Sequence, residues 1–273
     1  MSRWPDRDDC VIDTSFGRTA YSVTRNSGEG APLVLLQGGS STAAMWAPFA
    51  REWGRQRPVV AIDTIWDAGR SVQERPISRA SEAAEWLSET LDGLGYGRVH
   101  LLGYSYGGWL ALEYATRHTD RLISTIAIEP PGAIKGMPVR AWWRMARMLA
   151  GGEREVEPYL AWVRGGRLPE GDALALLKSA QIDFVKRGSP LPRRISADDW
   201  SRITGDLLIV LGERSRLVPA AASTRVTECA PDAEIRVIPR AGHAVPVEEP
   251  ESIITVVADF LSRAEPLLGD TAT

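Results

Sequence analysis

Short, mainly apolar runs recur along the first half of the chain, unbroken at Leu33 to Leu36. Leu33 to Leu36, Pro58 to Asp63, Val99 to Leu102 and Leu122 to Ile128 are too short for buried helices and too continuous for strands with one wet face. They read as strands covered on both sides. Between them the period changes to that of a helix. Ser78 to Leu94 places Ala83, Ala84, Trp86, Leu87, Thr90, Leu91 and Leu94 at helical spacing, and Thr42 to about Arg55 places Trp46 and Phe49 on one side. Ahead of these, Val11 to Thr14 and Ala20 to Thr24 flank Ser15-Phe16-Gly17-Arg18, the pattern of an antiparallel hairpin. From about 133 to 202 the rhythm breaks, leaving helical stretches at Val139 to Ala150, Val156 to Val163 and Ala173 to Lys186 but no buried strand. It resumes with a strand at Leu207 to Leu211, a helix near Pro219 to Ala230, a strand at Ala233 to Ile238 and a helix at Glu249 to Ala264, after which the tail from Pro266 is expected to fray.

Strands alternating with helices predict an α/β architecture, with a mainly parallel sheet, right-handed crossovers and helices on both faces. Eight strands are expected, with the irregular stretch inserted after the sixth. On this reading residues 1–130 and 203–273 form the core domain, and residues 131–202 form a helical cap carrying Trp142, Trp143, Trp162 and Trp200.

Composition narrows the function classes. A chain of 273 residues, 44% hydrophobic and 25% charged, suits one large α/β domain with an insertion. A net charge of −3 offers no footprint for nucleic-acid phosphates. The opening Met1 to Asp9 has no apolar core, so no signal peptide is expected, and no run approaches the ~20 residues of a membrane span. Neither a membrane nor a nucleic acid is therefore expected as a partner. Cys10 and Cys229 are expected as free thiols in a reducing cytoplasm. No metal or cofactor is expected, and the sequence does not distinguish a monomer from a homodimer.

One stretch organises this frame: Leu101-Leu102-Gly103-Tyr104-Ser105-Tyr106-Gly107-Gly108, entered by an apolar strand and left by a helical run from Trp109 to Arg117. Strand, Gly-x-Ser-x-Gly and helix form the context of a nucleophile elbow. A serine at such a corner sits in a strained backbone and needs small neighbours, which Gly103 and Gly107 supply. The helix then directs its N-terminal N–H groups to where an oxyanion would form. A serine nucleophile needs a base, and the chain has three histidines: His100, His118 and His243. His100 lies inside a strand and His118 ends the elbow helix, so both read as structural or surface residues. His243 lies in a loop after the last strand, where open α/β sheets keep their sites, and is the candidate base.

With these motifs the chain resembles the α/β-hydrolase family from about Val11 to Leu261. The resemblance rests on the elbow, on Gly242-His243 with Glu249-Pro250 behind it, on the glycine turn after the third strand, and on Asp63 to Ser71. It implies an α/β-hydrolase fold in which Ser105 is nucleophile and His243 is base, with the backbone N–H groups of Gly39 and Tyr106 as oxyanion donors. Gln37 stands where the family often has histidine, a change the backbone donors tolerate. Ser215 stands where the family usually carries its aspartate. That leaves Glu129, at the end of the sixth strand, as the first candidate for the acid and Glu213 as the alternative. A Ser–His dyad with no acid stays open.

The serine argues against haloalkane dehalogenases and epoxide hydrolases, which use aspartate at that position. The resemblance then implies a serine hydrolase of small or medium apolar esters, thioesters or lactones. The alternatives are a natural-product cyclase, a carbon–carbon bond hydrolase, an acyltransferase, or a ligand-binding protein without catalysis.

Overall fold

The computed structural model describes residues 4–264, apart from 167, 169, 170, 183, 185–187 and 220. The tail from Pro266, the end of the helix expected to reach Lys186, and Ala220 in the helix expected from Pro219 lie outside the described residues.

The strands in chain order are β1 (Arg7–Thr14), β2 (Gly17–Thr24), β3 (Leu33–Leu36), β4 (Val59–Ile62), β5 (Val72–Gln73), β6 (Val99–Tyr104), β7 (Leu122–Ile128), β8 (Asp206–Gly212) and β9 (Glu234–Ile238). They form one sheet in the order β1-β2-β4-β3-β6-β7-β8-β9. The hairpin β1–β2 is antiparallel and joins β4 antiparallel, while every pairing from β4 across to β9 is parallel. Among the described residues the sheet thus has nine strands rather than the expected eight. The extra one, β5, pairs with β2 off the main path and is too short for alternation to show in the sequence. The strand expected as sixth is therefore β7.

The apolar runs are buried because both faces of the sheet are covered. Along β3 and β4, alternate residues divide between two cores: Val34, Leu36, Val60 and Ile62 face one, and Leu33, Leu35, Val59 and Ala61 face the other. The first core lies under helices α2 (Ala80–Gly93), α3 (Tyr106–Ala115) and α8 (Ala222–Cys229), the second under α1 (Ala47–Trp53) and α10 (Pro250–Ala264). The helix expected from Thr42 is instead a 3-10 turn, Ala43–Trp46, followed by α1. Pro48, in the first turn of α1, lacks the N–H that would continue the ladder back toward Thr42. A short helix, α9 (Val245–Glu248), was not expected from the spacing.

Between β7 and β8 come α4 (Val139–Gly151), α5 (Glu153–Val163), α6 (Asp172–Ile182) and α7 (Ala197–Trp200), with no strand among the described residues. Met148, Val156 and Leu160 form a small core of their own, while Trp162 and Trp200 are buried toward the sheet. Arg193 fastens this segment down. It reaches the fully buried Glu113 of α3 at 2.8 Å, which Arg117 also pairs at 2.9 Å.

Candidate active site

The site grows out of the corner between β6 and α3. Ser105 has φ 52° and ψ −119°, a conformation that costs a non-glycine residue roughly 1–3 kcal/mol. Two backbone bonds hold it there: the Ser105 N–H donates to the Ile128 carbonyl at 2.8 Å, and Trp109 N–H donates to the Ser105 carbonyl at 3.0 Å. The glycines permit the crossing. A Cβ on Gly103 would lie 2.0 Å from the Gly107 carbonyl oxygen, and one on Gly107 would lie 2.5 Å from that of Leu36. The turn thus packs against the end of β3, where Gln37-Gly38-Gly39 begins.

Gly39 is exposed beside the elbow, and a Cβ built on it would be 3.8 Å from Cβ of Tyr106. Tyr106 opens α3, so its N–H has no intrahelical acceptor. Buried carboxylates fix the loop that carries Gly39. Ser40 N–H donates to Asp67 Oδ2 at 2.7 Å, and Ala43 N–H donates to Asp63 Oδ1 at 2.7 Å. The Gln37 amide, oriented to satisfy both ends, donates to the Ile62 carbonyl and accepts from Thr64 N–H.

His243 is buried in the loop after β9, its imidazole Nε2 2.9 Å from Ser105 Oγ. Its Nδ1 lies 2.8 Å from Oε2 of Glu129, a fully buried residue just past β7 with φ 51°. An ionised carboxylate only accepts, so Nδ1 carries the proton and Nε2 is left to accept from the serine hydroxyl. The loop is pinned on both sides of the histidine. Gly242 N–H donates to Glu248 at 2.7 Å, and the Tyr104 hydroxyl donates to the His243 carbonyl at 3.2 Å.

Burial raises the pKa of Glu129, against the opposing pull of its bonds from His243, Ser215 and the Gly212 N–H. Gly212 N–H donates to Oε1 at 2.7 Å, and the Ser215 hydroxyl donates to Oε2 at 2.5 Å. Ser215 therefore stands beside Glu129 as a donor. Glu213 is held elsewhere: it accepts from the Arg240 backbone N–H at 2.8 Å, at a residue with φ 62°. Ser105, His243 and Glu129 are thus brought together, with Gly39 and Tyr106 alongside, and Glu213 is not part of that chain of contacts.

His100 lies within β6, its Nδ1 2.8 Å from Ser124 Oγ on β7, and His118 stacks on Tyr114. The supporting donors and acceptors Ser215 and Asp67 were not singled out from the sequence. Asp67 lies in the Asp63 to Ser71 stretch, and Ser215 was visible only as a departure from the aspartate pattern. Among the described residues, no group of three or more His, Cys, Asp or Glu side chains is set to hold a metal ion.

A family model described as the alpha/beta hydrolase family matches residues 33–256. The chain belongs to the alpha/beta hydrolase family. This hydrolase is 25% identical to carboxylesterase YbfK of Bacillus subtilis, over 96% of its own length and 90% of that protein's. The crystal structure of that carboxylesterase superposes with a TM-score of 0.86, covering 94% of this chain and 93% of the other. A naproxen esterase from the same organism superposes with a TM-score of 0.85 at 24% identity, covering 94% and 92%, and adds to the evidence for the fold. Over 89% of this chain and 91% of the relative, it is also 26% identical to a 2-hydroxymuconate semialdehyde hydrolase of Pseudomonas putida. It is a hydrolase of the serine type, esterase-like in its relatives.

Proposed function

We propose that the chain is a carboxylesterase that opens small or medium apolar esters, thioesters or lactones through an acyl-enzyme on Ser105. The observation carrying this reading is the continuous contact from Ser105 Oγ to His243 Nε2 at 2.9 Å and from His243 Nδ1 to Glu129 Oε2 at 2.8 Å. As Ser105 Oγ attacks the carbonyl carbon, Nε2 takes its proton, and Glu129 holds the imidazolium that results. The carbonyl oxygen, now negative, is received by the N–H groups of Gly39 and Tyr106. Collapse of this intermediate expels the alcohol or thiol, which takes the proton back from Nε2. Water activated by the same imidazole then releases the acid and restores Ser105. The strained elbow contributes by holding the hydroxyl in place before the ester arrives.

The helical segment 131–202 is read as a cap over a core of 1–130 and 203–273, its buried Trp162 and Trp200 contributing to an apolar acyl pocket and to packing. The free thiols Cys10 and Cys229 support a reducing, cytoplasmic setting.

Turnover of p-nitrophenyl butyrate and labelling by a fluorophosphonate probe test the reading. Ser105→Ala is expected to lose both, with turnover below about 1% of wild type and the fold intact. Labelling that persists in Ser105→Ala would place the nucleophile elsewhere. Similarity to 2-hydroxymuconate semialdehyde hydrolase supports a second reading, carbon–carbon bond hydrolysis with the same Ser and His. Faster turnover of a 2-hydroxy-6-oxodienoate than of the ester would favour it.

A further inference from the structure

Helix α4 has two apolar faces, and the fold uses one. At about 100° per residue, Ala141, Met145 and Met148 fall on one side of the helix. Of these, Ala141 and Met148 are buried against the molecule. Val139, Trp142, Trp143, Ala146, Leu149 and Ala150 fall together on another side, as a stripe roughly 120° wide. Its large members are open to solvent: Val139 is 84% exposed, Trp142 39%, Trp143 59% and Leu149 72%. Scattered exposed apolar residues need no explanation, but a stripe of this kind marks a binding surface.

Arginine lines the edge of that stripe. Arg140, Arg144 and Arg147 occupy the adjoining side, and α4 carries no acidic residue, although the chain as a whole has a net charge of −3. Arg147 is paired with Glu155 and lies over the Trp143 ring. Arg144 lies over the Trp162 ring and, with Arg147, acts on the Glu155 carboxylate, which leaves Arg140 as the arginine of α4 with no carboxylate partner among the described residues.

We infer that α4 is a docking surface for an anionic lipid layer, lying in the headgroup plane with its apolar stripe sunk toward the acyl chains and its arginines against lipid phosphates. The combination of tryptophans, a long exposed leucine and an arginine border is what interfacial helices present. Tryptophan suits this depth, its ring seated in apolar surroundings and its N–H at the wet boundary. A second copy is the weaker occupant. Two copies meeting through this stripe would crowd the same arginine borders with no acid on α4 to answer them. Anionic headgroups supply that charge. Peripheral docking needs no spanning segment, and none of the described helices is long and apolar enough to cross a membrane. The surface is independent of the ester chemistry, so Ser105→Ala binds as wild type does.

Co-sedimentation of the full chain with vesicles tests this. One set is pure phosphatidylcholine, and the other is an equal mixture of phosphatidylcholine and phosphatidylglycerol. Binding is expected to the mixed vesicles only, to weaken with added salt, and to be accompanied by a blue shift of tryptophan fluorescence. Trp142→Ala with Trp143→Ala should weaken it by about tenfold or more, and Arg140→Gln by about fivefold. Turnover of a water-soluble ester and the melting temperature serve as controls and should stay at wild-type values in these variants. Equal binding to both vesicle types, or none to either, would overturn the proposal. So would a concentration-dependent dimer that Trp142→Ala dissolves, because the stripe would then belong to a second copy.

Discussion

Ser215 stands where a carboxylate is usual in this family and instead lends its hydroxyl to one. Its Oγ donates to Glu129 Oε2 at 2.5 Å and accepts from Val218 N–H at 3.0 Å, so its orientation is fixed from both sides. A glutamate pushed up by burial depends on such donors to stay ionised. Ser215→Ala should therefore cost roughly tenfold in kcat, the worth of a hydrogen bond to a charged group. It should also move the acidic limb of the kcat/KM profile to higher pH, because losing a donor to the carboxylate raises its pKa. An unchanged profile would make Ser215 a packing residue only. Glu129→Gln should lower kcat by about 10³ to 10⁴, as loss of imidazole orientation does in other triads. Glu213→Gln should cost less than about tenfold, since Glu213 braces Arg240 rather than His243. Steady-state kinetics on p-nitrophenyl butyrate separates the two. Ser105 and His243 could be paired in the sequence because an elbow motif and a late glycine–histidine loop are local signals. Glu129 came into view only through a resemblance, and the donor role of Ser215 not at all. Contacts across 86 positions leave no local signature.

At the scale of elements, the crossing of β3, β6 and α3 has no spare room. Gly107→Ala would drive a methyl to within 2.5 Å of the Leu36 carbonyl and 2.6 Å of the Gln37 carbonyl. Neither is a flexible side chain that can yield. A loss of about 3 kcal/mol is expected by denaturant titration, at the upper end of overpacking costs. The β6–β7 pair also carries a pH dependence. His100 is buried, and burial, with Arg57 and Arg98 adding to it, pulls its pKa from 6.5 down to about 3. The unfolded chain thus binds a proton that the folded chain refuses. Its contribution is complete above about pH 6.5 and is lost progressively as pH falls toward 3, with a slope of up to ~1.4 kcal/mol per pH unit. His100→Gln should flatten that slope in unfolding free energy measured against pH. The apolar runs made these strands legible, since a run buried on both faces has few other readings. Boundaries were less legible: Pro48 split the helix expected from Thr42, and β5 was too short to carry any period.

Across the whole molecule, Tyr106 links the candidate site to the helical segment between β7 and β8. Tyr106 carries the N–H proposed as an oxyanion donor, its ring packs edge-on against Trp66 and Trp109, and its hydroxyl donates to the Pro190 carbonyl of that segment. Burial, with Asp67 nearby, holds that phenol well above its ordinary pKa, so it stays a donor across the working range. An interruption in the strand rhythm marked the helical segment between β7 and β8 in the sequence, but nothing there said how it is fastened. The fastening is long-range and polar, through Tyr106 to Pro190, Arg193 to Glu113, and Arg216 to the Trp162 carbonyl. Tyr106→Phe isolates one such contact, because it keeps the ring and the N–H and removes only the hydroxyl. The buried Pro190 carbonyl would lose its donor, at a cost of about 1–3 kcal/mol. If the hydroxyl only latches the cap, hydrogen exchange should accelerate around 188–195 while kcat on p-nitrophenyl acetate stays within about threefold of wild type. The oxyanion donor would be untouched, and a small ester needs no cap to position its acyl chain. A drop in kcat of the size seen for a lost oxyanion donor, about 10² or more, with exchange in the cap unchanged, would reverse this assignment. The hydroxyl would then act on the substrate, and the segment would be held by the other two contacts, Arg193 to Glu113 and Arg216 to the Trp162 carbonyl.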